Sequence, residues 1–361
     1  MEKLVHEINE RLDTLDFEKL WSGFQKCDFA IYDDENVYFS DKVIPVDNRF
    51  AGDTSIEYEG QYIAIWKVGE SDRENIDVLT ASIVHEMFHV HQNMHNEKRF
   101  FDDMEGLKYP YNIENYRLRY YEQILLVSAL KEKELDKKAQ LFGKFIKTRL
   151  NRGKIILGNI NYEKAIETVE GCAEFISLKA LKSLCYKEYE KRIQAICSML
   201  CKVDNNTLYT RKMAYFSGVM MCLITEELGK NIIDNVGESK LYIFDIIQNM
   251  GFEDESAIEV NTVANYEKFK QLLDKYLENI KQSIDSILIN ENVKEEEGKF
   301  LVCGYDPMNM ARYKNMVLHK NFVFLYDGSE KRFLNGPVVT FSECENYREC
   351  KKIASLQKYR G

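Results

Sequence analysis

Four of the six histidines fall between residues 85 and 95, in the stretch "HEMFHVHQNMH". His85, Glu86 and His89 follow the order His-Glu-x-x-His. On a helix, side chains four apart share a face with β-carbons ~5–6 Å apart, so both imidazoles can reach one ion. Zinc suits such a pair: it is borderline-soft, takes imidazole nitrogen at ~2.0–2.1 Å, and works with three protein ligands and one open position. Glu86 lies about 100° round the helix from His85. From there it stands beside a metal-activated water instead of on the ion, which is the place of a general base in hydrolysis.

Two kinds of third ligand are open. His95 completes the histidine spacing of H-E-x-x-H-x-x-G-x-x-H, which resembles the metzincins. On a continuing helix, however, His95 lies about 9 Å beyond His89 and about 240° round. Metzincins end the helix at a glycine, where positive φ is cheap, and here that place is Gln92. His91 points away from His85 and His89 and reads as a partly exposed helix histidine. The other option is a carboxylate from "AIETVEGCAEFISLKAL" (165–181), with Glu167, Glu170 and Glu174 along one helical face. The segment is too apolar for a free surface helix, so its carboxylates need partners or an ion to offset their desolvation.

H-E-x-x-H followed on a later helix by "EGCAE" (170–174) resembles the gluzincins, the thermolysin-like zinc peptidases. The resemblance implies that Glu170 is the third zinc ligand and that Glu174 accepts a ring N–H of His85 or His89 from behind the site. It also implies that Gly171 lets the two helices approach closely. Glu167 and Glu174 are the substitutes for Glu170. The interval from His89 to Glu170 is longer than in thermolysin itself, which leaves the subfamily open. The same resemblance calls for a tyrosine or histidine that donates to the oxyanion. Tyr215, in "RKMAYFSGVMMCLI" with Gly218 following, is one candidate; its other reading is a core tyrosine. His319, in "VLHKNFVFL", is another, at the substrate side, against a plain sheet histidine. Tyr209 and Tyr305 do not stand out from the remaining tyrosines. The strand "QYIAIWKV" precedes the histidine helix, and by the same resemblance Gln61 to Lys67 would pair with peptide backbone; its other reading is a plain sheet strand with Trp66 as a core residue. The function expected is a zinc-dependent peptidase, Zn2+ its cofactor and a peptide or protein its substrate. A relative that binds zinc or peptide without turnover is the alternative.

The elements that must position these residues are legible in the periodicity. Residues 28–40 and 54–68 read as two hairpins, the second turning at Glu59-Gly60, and hence as a small sheet. Residues 71–96 read as helix, with "SDRE" as a capping box. From about 113 to 289 nearly everything is helical, and "NENVKEEEGK" (290–299) reads as a linker. Strand-like pieces and a short closing helix follow. The fold class expected is α+β: an N-terminal region (1–110) with a small sheet packed on the zinc-binding helix, a mainly helical body (111–290), and a strand-rich C-terminal α+β appendix (291–361).

A net charge of −10, from 49 basic against 59 acidic residues, and the lack of a basic run argue against nucleic acid as a partner. The amino terminus is an amphipathic helix with Leu4, Ile8, Leu12 and Leu15 on one side, without the apolar core of a signal peptide. The longest apolar run, from Met213, is too short to cross a bilayer. Nine cysteines, an odd number with no CxxC pair, suggest reduced thiols and a cytoplasmic location. The sequence does not fix the oligomeric state.

Overall fold

The computed structural model of the chain describes residues 1–232, 236–252, 264–343 and 345–356. It is mixed α/β, with two sheets and a helical body. The first sheet contains the strands Phe29–Tyr32, Asn36–Tyr38, Val43–Pro45, Thr54–Tyr58 and Gln61–Lys67. Both hairpins form as the alternation predicts. The second turns through Glu59 and Gly60 at φ 51° and 85°, a geometry that follows the twist of the flanking strands. Gln61–Lys67 also pairs in parallel with Phe29–Tyr32, so it is an interior strand. Thr54–Tyr58 is left as one edge of the sheet.

The histidine helix runs Ile76–Met94. "SDRE" is not its capping box: Ser71–Glu74 form a separate 3-10 turn. The cap is Asn75, whose side chain accepts from the Val78 amide at 3.2 Å, satisfying one of the orphan donors of the first turn. Leu79, Ile83, Met87 and Val90 share one core with Phe29, Ile31 and Ala64 of the sheet. Val5, Ile8 and Leu12 of the first helix, Glu2–Leu12, join the same core. Each such side chain contributes roughly 1.5–3 kcal/mol by leaving water, so this helix is anchored on both sides.

The long helix Tyr266–Leu288 spans two cores. Phe269 and Leu273 belong to the helical body. Ile280, Ile284 and Ile287 cover Ala311, Leu318, Val339 and Ala354 of the second sheet. That sheet has seven antiparallel strands, in the spatial order Lys331–Asn335, Phe322–Tyr326, Lys294–Tyr305, Glu349–Ser355, Val338–Ser342, Met316–His319, Met310–Tyr313. Two expectations fail here for one reason. The closing segment is the strand Glu349–Ser355, not a helix, and the expected linker becomes strand from Lys294 onward. The two pair with each other, and Lys352 meets Glu295 at 2.8 Å. Cross-strand charge pairing of this kind makes an acidic run acceptable in a sheet.

Cys27, Cys185, Cys197, Cys201, Cys222, Cys303 and Cys350 are free thiols, and Cys344 lies outside the described residues. Among the described residues no helix is long and apolar enough to cross a membrane.

Candidate metal centre

His85 and His89 bring their Nε2 atoms within 3.1 Å of each other. Glu170 approaches from the second helical layer, its Oε2 lying 3.5 Å from His85 Nε2 and 3.3 Å from His89 Nε2. Three ligands ~2.0–2.1 Å from a tetrahedral ion stand roughly 3.3–3.4 Å apart. The observed edges of 3.1, 3.3 and 3.5 Å bracket that spacing. Among the described residues this is the one group of His, Cys, Asp and Glu side chains arranged to hold a metal.

Hydrogen bonds behind the triangle fix which way its lone pairs point. Gln92 donates from Nε2 to the Val169 carbonyl at 3.0 Å, so its Oε1, 2.7 Å from His89 Nδ1, must accept. The proton of His89 therefore sits on Nδ1. His85 Nδ1 faces Glu174 Oε2 at 3.4 Å, and the other oxygen of Glu174 accepts from Arg192 at 2.8 Å. In both rings Nε2 is left with its lone pair directed at the carboxylate of Glu170. Three acceptors converging in a buried place repel one another unless a positive charge stands between them. Where no cation stands, protons on the rings supply that charge, and the titration of the groups reflects it. Burial would lower the pKa of His85, but hydrogen bonds to Glu170 and Glu174 push it up to about 10. Burial would raise Glu170, but His89 and His85 hold it well below the usual carboxylate range. The donor set fits a divalent cation, and its nitrogen–nitrogen–oxygen character suits zinc.

Local backbone chemistry delivers Glu170. Residues Glu167–Gly171 form a π-helical turn between the helices Ile160–Ile166 and Cys172–Leu184. The wider turn rotates Glu167 out of line with Glu170 and Glu174. Glu167 is consequently not available to a metal: Arg149 donates to it at 2.7 and 3.0 Å, and Ser217 at 2.8 Å. Gly171 does permit a close approach, but to the helix Thr210–Glu227 and not to the histidine helix. A β-carbon on Gly218 would lie 2.7 Å from the Glu167 carbonyl oxygen. That contact brings Tyr215 in, its ring parallel to His85 at 5.8 Å and its hydroxyl 3.1 Å from His85 Nε2. Burial, then the Glu170 charge, raise the pKa of Tyr215 well above its ordinary value, so it remains an O–H donor.

These groups open on a cleft of about 350 Å³ lined by Asp53, Thr54, Ser55, Glu86, His89, Asn93, Phe100, Val169, Glu170, Arg211 and Tyr215. Burial, opposed by His85 and His89, raises the pKa of Glu86 from its ordinary value, the direction that favours a proton acceptor.

Other expected residues lie elsewhere. His95 ends the histidine helix, where its Nδ1 donates to the His91 carbonyl at 2.8 Å, and it does not join the triangle. The helix runs on past Gln92, as the missing glycine predicts. His91 is 7% exposed, and so buried where a partly exposed histidine is expected, and it packs against Phe24 and Phe88. His319 is 1% exposed in the second sheet, its Nε2 3.2 Å from Thr340 Oγ1, so it cannot meet substrate. Gln61–Lys67 lies inside the sheet, between Phe29–Tyr32 and Thr54–Tyr58, whereas the edge strand Thr54–Tyr58 supplies Thr54 and Ser55 to the cleft. Tyr209 stacks edge-on to Tyr276, and Tyr305 lies 3.5 Å from Asp102.

The residues that sequence reasoning missed are Gln92, Arg192 and Arg211. Gln92 was within reach of it, standing three residues after His89 on the same face. The arginines come from distant helices and carry no local signal.

Comparison with protein-family models, with curated proteins and with solved structures finds no match to this chain. The resemblance to thermolysin-like enzymes rests on the site residues alone.

Proposed function

We propose that this chain is a zinc-dependent peptidase whose metal ligands are His85, His89 and Glu170. The observation that carries this reading is the 3.1, 3.3 and 3.5 Å triangle of ring nitrogens and carboxylate oxygen, with Glu86 and Tyr215 in the same cleft. A zinc ion held there supplies Lewis acidity, polarising a carbonyl and bringing water toward a pKa of about 7. Glu86 takes the proton of the attacking water and passes it to the leaving amine. Tyr215 donates its hydroxyl proton in a hydrogen bond to the oxygen that gains charge. Glu174 and Gln92 hold the two imidazoles in the tautomer with Nε2 free.

An extended peptide is the substrate class that the cleft suits. Thr54–Tyr58 is a sheet edge with its first residues lining the site, so peptide backbone can add to it as a further strand. Asn93 donates to Ser55 Oγ at 2.7 Å and ties this edge to the histidine helix. The α+β arrangement is then functional: the small sheet orients substrate against the zinc-binding helix, and the helical body brings the third ligand. We place the enzyme in the cytoplasm.

The test is hydrolysis of a broad peptide library by the wild type and by Glu86→Gln. Turnover in the wild type that falls about 10²–10⁴-fold in Glu86→Gln supports the proposal. Zinc binding with no Glu86-dependent turnover points to a binding protein instead.

A further inference from the structure

Glu170 uses its two oxygens differently. Oε2 faces both histidine nitrogens, whereas Oε1 accepts from Arg211 Nη2 at 3.0 Å. The other end of the guanidinium, Nη1, is 3.0 Å from each oxygen of Asp103. Asp103 also accepts from the Tyr162 hydroxyl at 2.7 Å, and the Phe101 ring lies 4.5 Å beneath the guanidinium. Arg211 is thus held from three sides with its charge turned toward the back of Glu170.

The chain neighbours of Asp103 contact the second sheet. Asp102 accepts from Arg348 at 2.8 Å through both its oxygens. Met104 is buried in that sheet's core with Phe300, Val302, Val323 and Leu325. Three consecutive residues therefore join the C-terminal sheet to an arginine that touches the proposed metal ligand.

We infer that Arg211 is a positioning residue of the metal centre: it occupies Oε1 so that Glu170 meets a cation through Oε2 alone, and the C-terminal sheet keeps it there through Asp102 and Asp103. This rests on the metal-centre reading above. A carboxylate free at both oxygens can bind an ion with two atoms, which adds a ligand and fills the position that a catalytic site keeps open. A planar guanidinium that spans two carboxylates prevents this in a way that a single ammonium cannot. The arrangement lowers metal affinity, since a cation beside the site repels another, and in exchange keeps the low coordination number. It also gives the seven-stranded sheet a role, because movement of the Asp102–Met104 segment is passed to Glu170.

Cobalt(II) titration of the full chain tests this without any assay of activity, because visible d–d absorption is strong at four-coordinate cobalt and weak at higher coordination. Wild type, Arg211→Met, Arg211→Lys and Arg348→Ala are compared at saturating metal. The inference predicts strong bands in the wild type and a roughly twofold or greater weakening in Arg211→Met, with zinc bound at least as tightly as before. Arg211→Lys recovers only part of the intensity, and Arg348→Ala shifts the bands in the same direction by a smaller amount. Identical spectra in wild type and Arg211→Met overturn the inference while leaving the metal centre intact. If Arg211→Met does not fold by circular dichroism, Arg348→Ala decides, and an unchanged spectrum there rejects it. A wild type that binds neither cobalt nor zinc overturns the metal-centre reading itself.

Discussion

A β-carbon on Gly171 would lie 2.8 Å from the α-carbon of Gly218. The two glycines are where the segment bearing Glu170 and the helix bearing Tyr215 touch backbone to backbone. Glu170 and Tyr215 both face His85 because of that contact, so the glycine pair sets the depth of the site. Gly218→Ala forces the helices apart or strains them, at a cost of about 1–3 kcal/mol. Because Glu170 moves with its helix, zinc affinity is expected to fall by an order of magnitude or more. Denaturant unfolding and competitive zinc titration measure the two effects on one protein.

The histidine helix was legible because apolar periodicity, the His-Glu-x-x-His spacing and the lack of a glycine at position 92 agreed; only its start was misplaced, since "SDRE" forms a separate turn and Asn75 is the cap. Glu170 was harder. Sequence periodicity treats Glu167, Glu170 and Glu174 as equivalent on one face, and only the π-turn, which no composition announces, separates them. Of the two readings of Gln61–Lys67 the plain sheet strand holds, because parallel pairing with Phe29–Tyr32, a long-range event that local pattern does not announce, makes it interior. The closing helix failed because pairing on both edges of Glu349–Ser355 overrides local preference.

Tyr215 separates chemistry from binding. Its hydroxyl is 3.1 Å from a ring nitrogen of His85, and its ring lies parallel to that imidazole. Tyr215→Phe keeps the stacking and the metal but loses the donor. The expected result is a kcat lower by about 10²–10³ with KM little changed. An equal loss of bound zinc in Tyr215→Phe would instead make the tyrosine part of the metal site.

Buried histidines outside the site give the protein a predictable acid response. Burial alone pushes His319 down to about 4. Its folded pKa is therefore below its unfolded value near 6.5, and the unfolded chain binds the proton more readily. Stability from neutral His319 is fully present above pH 6.5 and is lost as pH falls toward 4. Between pH 7 and pH 5 this amounts to about 2 kcal/mol. In His319→Asn the difference in unfolding free energy between those two pH values should shrink by that amount, measured by urea titration at each.

The account depends on His85, His89 and Glu170 sharing one cation. Elemental analysis of the purified wild type and of Glu170→Ala, both dialysed against trace zinc, tests it most directly. The expected result is close to one zinc per wild-type chain and a small fraction of that in the variant. Zinc-free wild type, or a variant that retains its full equivalent, would contradict it.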